Sequence, residues 1–311
     1  MDMLWNGILV IIGFVLLVKG ADFFVDGAAS VATKFGIPQI VVGLTIVALG
    51  TSAPEAAVSI GSALKGSNGI SIGNVLGSNI FNVLIVLGVT ACICTLHVKK
   101  SVVRVDLPVM LGVSILLLVL GMVKPDLNYI TGIVFWIILI VYIVYLIIYA
   151  KKTNDSEEEE YKDLPPFKIV IYILGGIIAI VLGSDVAVDG ATAIAKLLGV
   201  SDRIIGLTIV AFGTSLPELM TSITAARKGN ADLAIGNVVG SNLFNILFVL
   251  GTTCLIQTVT FSASFIFDGI VGVVAAALLW ILVFRKGELK RFGGALLLLL
   301  YVGYFIYLLA A

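Results

Sequence analysis

Two stretches of this chain are nearly the same sequence, and they lie 163 residues apart. GLTIVALGTSAPE at 43–55 returns as GLTIVAFGTSLPE at 206–218, and GNVLGSNIFN at 73–82 returns as GNVVGSNLFN at 236–245. The same offset relates Asp22 to Asp185, Asp26 to Asp189, Gly27 to Gly190 and Gly66 to Gly229. Self-similarity at a fixed spacing marks a duplicated unit. Hydrophobic bias alone does not produce it, because Pro, Glu, Ser and Asn repeat along with the aliphatic residues.

What surrounds the repeated motifs decides the solvent they fold in. Of 311 residues, 60% are hydrophobic and 12% charged, against roughly 25% charged in a soluble domain. That excludes a disordered chain, a collagen-like fibre and an ordinary cytosolic enzyme. Nineteen basic and nineteen acidic residues cancel, so no basic field speaks for nucleic acid. Three Cys and one His are too few for a disulfide scaffold or a His/Cys metal cluster. The N-terminus carries no positive n-region, so the first apolar run reads as a span rather than a cleaved signal.

A bilayer core needs about 20 apolar residues of helix. Ten runs meet that need, near 4–33, 38–63, 70–95, 105–122, 128–150, 167–195, 203–226, 232–256, 265–284 and 292–310. The expected fold is therefore an all-α polytopic membrane protein with ten transmembrane helices. A hydrophilic, acidic segment at 151–166, KKTNDSEEEEYKDLPP, divides a first five-helix repeat (1–150) from a second (167–311). With the N-terminus outside, fourteen Lys and Arg fall in inside loops and four in outside loops. The positive-inside rule then places both termini outside and the 151–166 linker in the cytoplasm. Five spans is an odd number, so the two copies enter the membrane from opposite sides. Inverted repeats of this kind are a mark of secondary transporters, with the site at the midplane between the repeats.

Glu55 and Glu218 sit inside otherwise apolar spans. A carboxylate at that depth costs at least ~2.5–3.5 kcal/mol and lines a pathway. The surrounding spans offer no Lys or Arg at comparable depth, which leaves a cation or a proton as the counter-charge. Each Glu follows a proline, in Gly50–Glu55 (GTSAPE) and Gly213–Glu218 (GTSLPE). Pro54 has no N–H for the Gly50 carbonyl, nor Pro217 for that of Gly213, so both helices should kink or unwind there. Backbone freed in this way is tolerated in a membrane only where it is buried or lines a cavity. Ser52 and Ser59 flank Glu55, and Ser215 and Ser222 flank Glu218, at helical spacings of three and four. Ser78 with Asn82, and Ser241 with Asn245, share helix faces. Gly73-x-x-x-Gly77 and Gly236-x-x-x-Gly240 permit close helix approach. Together these residues make an all-oxygen cage with two carboxylates, suited to a hard cation such as Ca²⁺ and unsuited to zinc or copper.

The motifs resemble the two α-repeats of the calcium/cation antiporter superfamily, in particular its prokaryotic sodium/calcium exchanger branch. The likeness covers nearly the whole chain in topology, with the motif-rich parts at about 43–88 and 206–251. It implies a Na⁺/Ca²⁺ antiporter working by alternating access, the first and sixth helices sliding across the rest. It implies a central Ca²⁺ site of Glu55, Glu218, Thr51 and Thr214. Flanking Na⁺ sites would use Ser52, Ser78, Ser215 and Ser241, the carbonyls of Ala48 and Ala211, and the two Glu; Asn82 and Asn245 are the remaining amide positions. Several members of the superfamily carry Asp where this chain has Asn245, and the carboxylate count of two here argues against potassium coupling.

The transported ions are then Ca²⁺ and Na⁺, with no cofactor, no obligatory protein partner, and a prokaryotic cell membrane as the setting. Two readings stay open beside this one. A H⁺/Ca²⁺ antiporter of the same fold needs only the two Glu, and a cation channel could use the same ring of oxygens. An intramembrane enzyme fits worst, since no H-E-x-x-H occurs and one His leaves little for metal-assisted hydrolysis.

Other polar residues read as bystanders. Asp22/Asp26 and Asp185/Asp189 suit interfacial solvation better than a cation funnel. Cys92, Cys94 and Cys254 suit packing, His97 an interface, and Glu157–Glu160 a solvated linker. Trp5, Trp136, Trp280 and the tyrosines from Tyr129 to Tyr149 fit core packing or interfacial belts.

Overall fold

The computed structural model describes residues 2–64, 68–152, 164–199 and 211–310. Its helices, in chain order, are α1 (Asp2–Phe35), α2 (Gln39–Thr51), α3 (Ala53–Leu64), α4 (Ile70–Ile93), α5 (Val102–Val123) and α6 (Tyr129–Lys152). The second half holds α7 (Pro166–Leu197), the short α8 (Ala211–Gly213), α9 (Leu216–Arg227), α10 (Ala231–Ile256), α11 (Phe265–Phe284) and α12 (Arg291–Ala310). Eight of these are long and apolar enough to cross a bilayer, and α2 with α3, meeting at a 50° bend, makes nine among the described residues. The span expected at 203–226 begins outside the described residues; α8 and α9 are its described part. The acidic linker lies mostly outside them as well.

Burial separates a core from a shell. In the most apolar stretch of α10, 94% of residues are buried, and in that of α4 72%, whereas α6 and α12 bury only 22%. The repeat motif helices are thus at the centre, and the lipid-facing helices read as plain hydrophobic runs. This explains why Ser, Asn and Gly accumulate in α4 and α10: with no hydrophobic drive between helices in lipid, small residues and interhelical hydrogen bonds hold the bundle.

Helices α1 and α7 are much longer than a bilayer needs. Their 34 and 32 residues span about 51 and 48 Å at 1.5 Å per residue, against a hydrocarbon core of about 30 Å, so they cross it tilted. They pack on each other through glycines at seven-residue spacing, Gly13, Gly20 and Gly27 on α1 and Gly176, Gly183 and Gly190 on α7. A Cβ on Gly13 would sit 2.7 Å from the Gly183 carbonyl oxygen, and one on Gly27 would sit 2.9 Å from the Ile173 side chain. The low end of one helix therefore meets the high end of the other, and the equivalent helices run antiparallel. Each ends at a left-handed glycine, Gly36 (φ 59°) and Gly199 (φ 78°), where a side chain would be strained.

Four two-residue strands complicate the all-helical expectation. Leu96–His97 (β1) pairs antiparallel with Glu288–Leu289 (β4), and Asp126–Leu127 (β2) pairs with Val259–Thr260 (β3). Each pair takes one strand from each half. The repeat offset is 163 between β1 and β3 but 162 between β2 and β4, so one position is lost between them. Beyond that point an Asp–Tyr bond recurs at the shorter offset. Tyr142 Oη donates to Asp106 Oδ1 at 2.9 Å, and Tyr304 Oη to Asp268 Oδ1 at 2.8 Å, giving each carboxyl group a donor within the membrane-spanning bundle.

Candidate functional site

Both Pro-Glu motifs sit at helix breaks. The backbone leaves the helical region at Ser52 (φ −81°, ψ 7°) and at Ser215 (φ −96°, ψ 5°), the sparsely populated bridge conformation common in active sites. Pro54 and Pro217 then fall in the first turn of α3 and α9, where a missing N–H is harmless. Glu55 and Glu218 occupy those same first turns, so each carboxylate lies at the positive end of a half-helix. In the first repeat the preceding half-helix, α2, ends at the same break and presents its last carbonyls there. In the second repeat one freed carbonyl is taken: Ser184 Oγ on α7 donates to Gly213 O at 2.6 Å. The equivalent of Ser184 is Ala21, and Gly50 instead packs against Phe24 and Ile177.

The two carboxylates are fully buried, and serines from both repeats converge on them. Ser52 Oγ approaches Glu218 Oε1 at 3.1 Å and Ser215 Oγ approaches Glu55 Oε1 at 3.4 Å, each across the repeat boundary. Ser78 Oγ lies 3.4 Å from Glu55 Oε1, and Ser241 Oγ 3.5 Å from Glu218 Oε1, within their own repeats. Ser241 Oγ also reaches the Ala48 carbonyl at 3.5 Å and the Thr51 hydroxyl at 3.4 Å. These separations are long for O–H···O bonds, which cluster near 2.7–2.8 Å. The other carboxylate oxygens, Glu55 Oε2 and Glu218 Oε2, have no donor among the described residues.

A second tier of amides holds the cage. Asn74 Nδ2 donates to the Glu55 carbonyl (3.1 Å) and to Ser59 Oγ (2.8 Å), and Asn237 Nδ2 donates to the Glu218 carbonyl (3.3 Å) and to Ser222 Oγ (3.0 Å). Thr51 Oγ1 donates to Asn237 Oδ1 at 2.9 Å. At the centre, Asn79 and Asn242 exchange side-chain-to-carbonyl bonds at 3.1 and 3.2 Å, Asn82 Nδ2 donates to Asn242 Oδ1 at 3.2 Å, and Asn245 Nδ2 donates to Asn79 Oδ1 at 3.1 Å. This fixes both outer amides by their nitrogens and leaves Asn82 Oδ1 and Asn245 Oδ1 buried without a donor among the described residues. A π-helical turn begins at each of these residues, over Asn82–Val86 and Asn245–Leu250. Such turns rotate side chains locally and recur at functional sites.

Close backbone contact makes the cage compact. A Cβ on Gly236 would come within 2.9 Å of Gly43 Cα, and one on Gly240 within 2.6 Å of Ala48 Cβ, which seats α10 against α2 and puts Asn237 and Ser241 beside Thr51. The structure thus brings together Glu55, Glu218, Ser52, Ser78, Ser215, Ser241, Thr51 and the Ala48 carbonyl, and it joins Asn82 and Asn245 to the central amides Asn242 and Asn79. It adds Asn74, Asn79, Asn237 and Asn242, which the sequence reading quoted in its motifs without giving them a role. Thr214 is half-buried at the second break, and Ala211 opens α8. Ser59 and Ser222 differ from expectation: their hydroxyls accept from the amides Asn74 and Asn237, so they buttress the cage one layer out.

The discounted residues find other partners. Lys228 Nζ reaches Asp26 Oδ1 at 2.6 Å and Asp22 Oδ1 at 3.4 Å, so this aspartate pair is tied by an ion pair rather than merely solvated. The repeat equivalent of Lys228 is Lys65, which lies outside the described residues. His97 faces Glu288 at 3.7 Å, and the three cysteines are free. The stretch Gly69–Gly73 has the G-x-S-x-G spacing of a hydrolase turn, but it lies in helix and Ser71 Oγ donates to the Ser59 carbonyl at 2.9 Å. Among the described residues no three His, Cys, Asp or Glu side chains gather as a metal cluster. The cage is built of carboxylate, hydroxyl, amide and carbonyl oxygens.

Comparison with known proteins finds relatives of the whole chain. A family model described as sodium/calcium exchanger protein matches residues 5–148 and 168–310. The putative antiporter CaxA of Alkalimonas amylolytica is 38% identical over 313 residues, covering 97% of this chain and 98% of that protein. The sodium/calcium exchanger MaX1 of Methanosarcina acetivorans is 31% identical, covering 97% and 98%. Among solved structures, the sodium-calcium exchanger NCX_Mj soaked with zero Na⁺ and Ca²⁺ aligns with a TM-score of 0.86 at 32% identity, covering 98% of this chain and 99% of that one.

Proposed function

The chain belongs to the sodium/calcium exchanger protein family, and from that membership and the geometry of the cage we propose that it exchanges Na⁺ for Ca²⁺ across a membrane by alternating access. It is an integral membrane protein of a transporter family. The observation that carries the reading is that, among the described residues, each buried carboxylate keeps an oxygen without a donor, Glu55 Oε2 and Glu218 Oε2, as do the outer amides at Asn82 Oδ1 and Asn245 Oδ1. An orphaned buried acceptor costs about 1–3 kcal/mol, and two bare carboxylate oxygens inside a ring of serines ask for positive charge.

The spacing of the remaining oxygens supports a large hard cation. Two ligands of one ion at about 2.4 Å, set at right angles, lie about 3.4 Å apart, whereas Mg²⁺ ligands at about 2.05 Å lie about 2.9 Å apart. Three of the four Ser–Glu separations, at 3.4–3.5 Å, match the wider polyhedron, and Ser52–Glu218 at 3.1 Å falls between the two. In this reading Glu55, Glu218 and the backbone carbonyls of Thr51 and Thr214 hold Ca²⁺. Na⁺ ions use Ser52 and Ser78 on one side and Ser215 and Ser241 on the other, with the carbonyls of Ala48 and Ala211 and the same two carboxylates. Two negative charges balance one Ca²⁺ or the cations that replace it, so the ions compete and exchange is coupled. The α1–α7 pair, held together by its glycine seam, is the unit that slides across the rest. The termini face outside and the 151–166 linker the cytoplasm.

The test is ⁴⁵Ca²⁺ uptake into proteoliposomes loaded with Na⁺, and in parallel with K⁺ and an acid interior. Uptake is expected with the Na⁺ gradient alone. Uptake driven only by the pH gradient would make H⁺ the coupling ion, and conductance without coupling would make the protein a channel. Glu55→Gln and Glu218→Gln are each expected to lower Na⁺-driven uptake at least ~100-fold, the scale of about 2.7 kcal/mol, since each removes half of the cage charge.

A further inference from the structure

The β1–β4 pair draws two loops together beside the membrane-spanning bundle and opens a groove between the start of α5 and the end of α11. The groove has a volume of about 550 Å³. Its lining includes four cationic side chains, Lys100, Arg104, Arg285 and Lys286, together with His97, Val103 and Phe284. The turn that carries Arg285 and Lys286 depends on Gly287 at φ 61°, whose carbonyl accepts from Val98 N at 2.7 Å. A second, apolar hollow of about 510 Å³ shares Phe284 and Arg285 and continues along Trp280 and Ile281. Trp280 is fixed there by its indole N–H, which donates to the Val103 carbonyl at 2.8 Å.

The acidic neighbour offsets this cluster only in part, reaching His97 and, at longer range, Lys286. Glu288 is already engaged by Lys290 at 3.1 Å and by His97 at 3.7 Å; the Lys290 ammonium holds its carboxyl below the usual carboxylate range. Asp106, on the same helix as Arg104, is buried and bonded to Tyr142. Among the described residues no acid makes a salt bridge with Lys100, Arg104 or Arg285, and Lys286 feels Glu288 only at longer range. The fold itself does not require the cluster. At the symmetric β2–β3 pair, the positions equivalent to Lys100, Arg104 and Arg285 are Ala263, Phe267 and Val123, and only Lys124 is basic.

We propose that this groove binds a phosphate-bearing anionic phospholipid, its headgroup among Lys100, Arg104, Arg285 and Lys286 and one acyl chain against Trp280, Ile281 and Phe284. Charge complementarity selects the headgroup, since guanidinium and ammonium groups recognise phosphate, and basic pockets between membrane helices are suited to anionic headgroups. The continuous apolar hollow distinguishes a lipid from a free anion, which would have no use for it.

Native mass spectrometry of the full-length detergent-purified protein, offered phosphatidylglycerol and phosphatidylcholine, tests the site. The wild type is expected to retain phosphatidylglycerol selectively. Lys100→Gln/Arg104→Gln/Arg285→Gln/Lys286→Gln is expected to cut that selectivity at least tenfold. Lys151→Gln/Lys152→Gln, at the end of α6 and outside the groove, is expected to leave it unchanged. Equal loss in both variants would mean diffuse surface charge and overturn the site. Displacement of the lipid by millimolar inorganic phosphate would make it a free-anion site and overturn the lipid assignment. Selective retention seen only after the Glu157–Glu160 run is replaced by Ser would make the chain's own linker the occupant. A measurement on the unmutated protein guards against misfolding of the fourfold variant: a photoreactive phosphatidylglycerol should label peptides spanning 97–104 and 280–287, and labelling confined to other surfaces would overturn the proposal.

Discussion

Glu55 and Glu218 each turn one oxygen toward two serine hydroxyls and leave the other bare, and that division of labour depends on amides that never touch a carboxylate oxygen. Asn79 and Asn242 bind the nitrogens of Asn245 and Asn82, which is what turns the outer amide oxygens away from the pair. Replacing Asn79 with Ala removes the donor to the Asn242 carbonyl and strands the Asn245 N–H. Each stranded group costs about 1–3 kcal/mol, so N79A is expected to lower the thermal unfolding midpoint of the detergent-purified protein by several degrees. Asn74→Ala is the milder change, because Asn74 is only half-buried and water can replace it. At this scale the sequence was legible where chemistry is rare: a Pro-Glu pair inside an apolar helix has few uses. It was not legible for Asn74, Asn79, Asn237 and Asn242, since the motif names these residues without saying which face each takes. Their partners lie on other helices, of the same repeat or the opposite one, and a 3.6-residue period does not encode such contacts.

At the scale of elements, the packing of α1 on α7 rests on which glycine faces the partner helix. Gly175 and Gly176 are neighbours with opposite roles. A Cβ on Gly176 would lie 2.8 Å from Phe24 N and 2.9 Å from the Gly20 carbonyl, whereas one on Gly175 meets nothing within 4 Å. Gly176→Ala is therefore expected to force the helices apart and destabilise the protein by about 1–3 kcal/mol. Gly175→Ala is expected to be neutral or to stabilise by about 0.5–1 kcal/mol through helix propensity. Side-by-side thermal melts of the two variants check both signs. The breaks at Ser52 and Ser215 were legible from proline, since the missing N–H at Pro54 and Pro217 is a local matter. Their inequality was not. Ser184 caps the Gly213 carbonyl from another helix, and Ala21 cannot do the same for Gly50. That contact joins residues 29 positions apart through a packing no local pattern announces.

Over the whole molecule, the duplication read from sequence extends further than the motifs that revealed it. The offset carries through β1 and β3 and, one residue shorter, through β2 and β4 and the Asp106–Tyr142 and Asp268–Tyr304 bonds. Sequence identity fades before residue 96 because lipid-facing positions demand only hydrophobicity. The geometry persists there because both halves must meet the same neighbours. The strand pairs carry a consequence for how such a chain is held together. Each strand finds its partner in the opposite half, so neither half can finish its own loops, and the covalent join has only to reach from Lys152 to Leu164. Expressed as two separate polypeptides, 1–152 and 164–311, the halves are expected to co-purify as one complex on a tag carried by either. Each half expressed alone is expected to aggregate or be degraded. A single ancestral half able to insert both ways up would already have met, in its own inverted copy, a mate complementary along every seam; gene fusion then fixed the pairing without having to invent it.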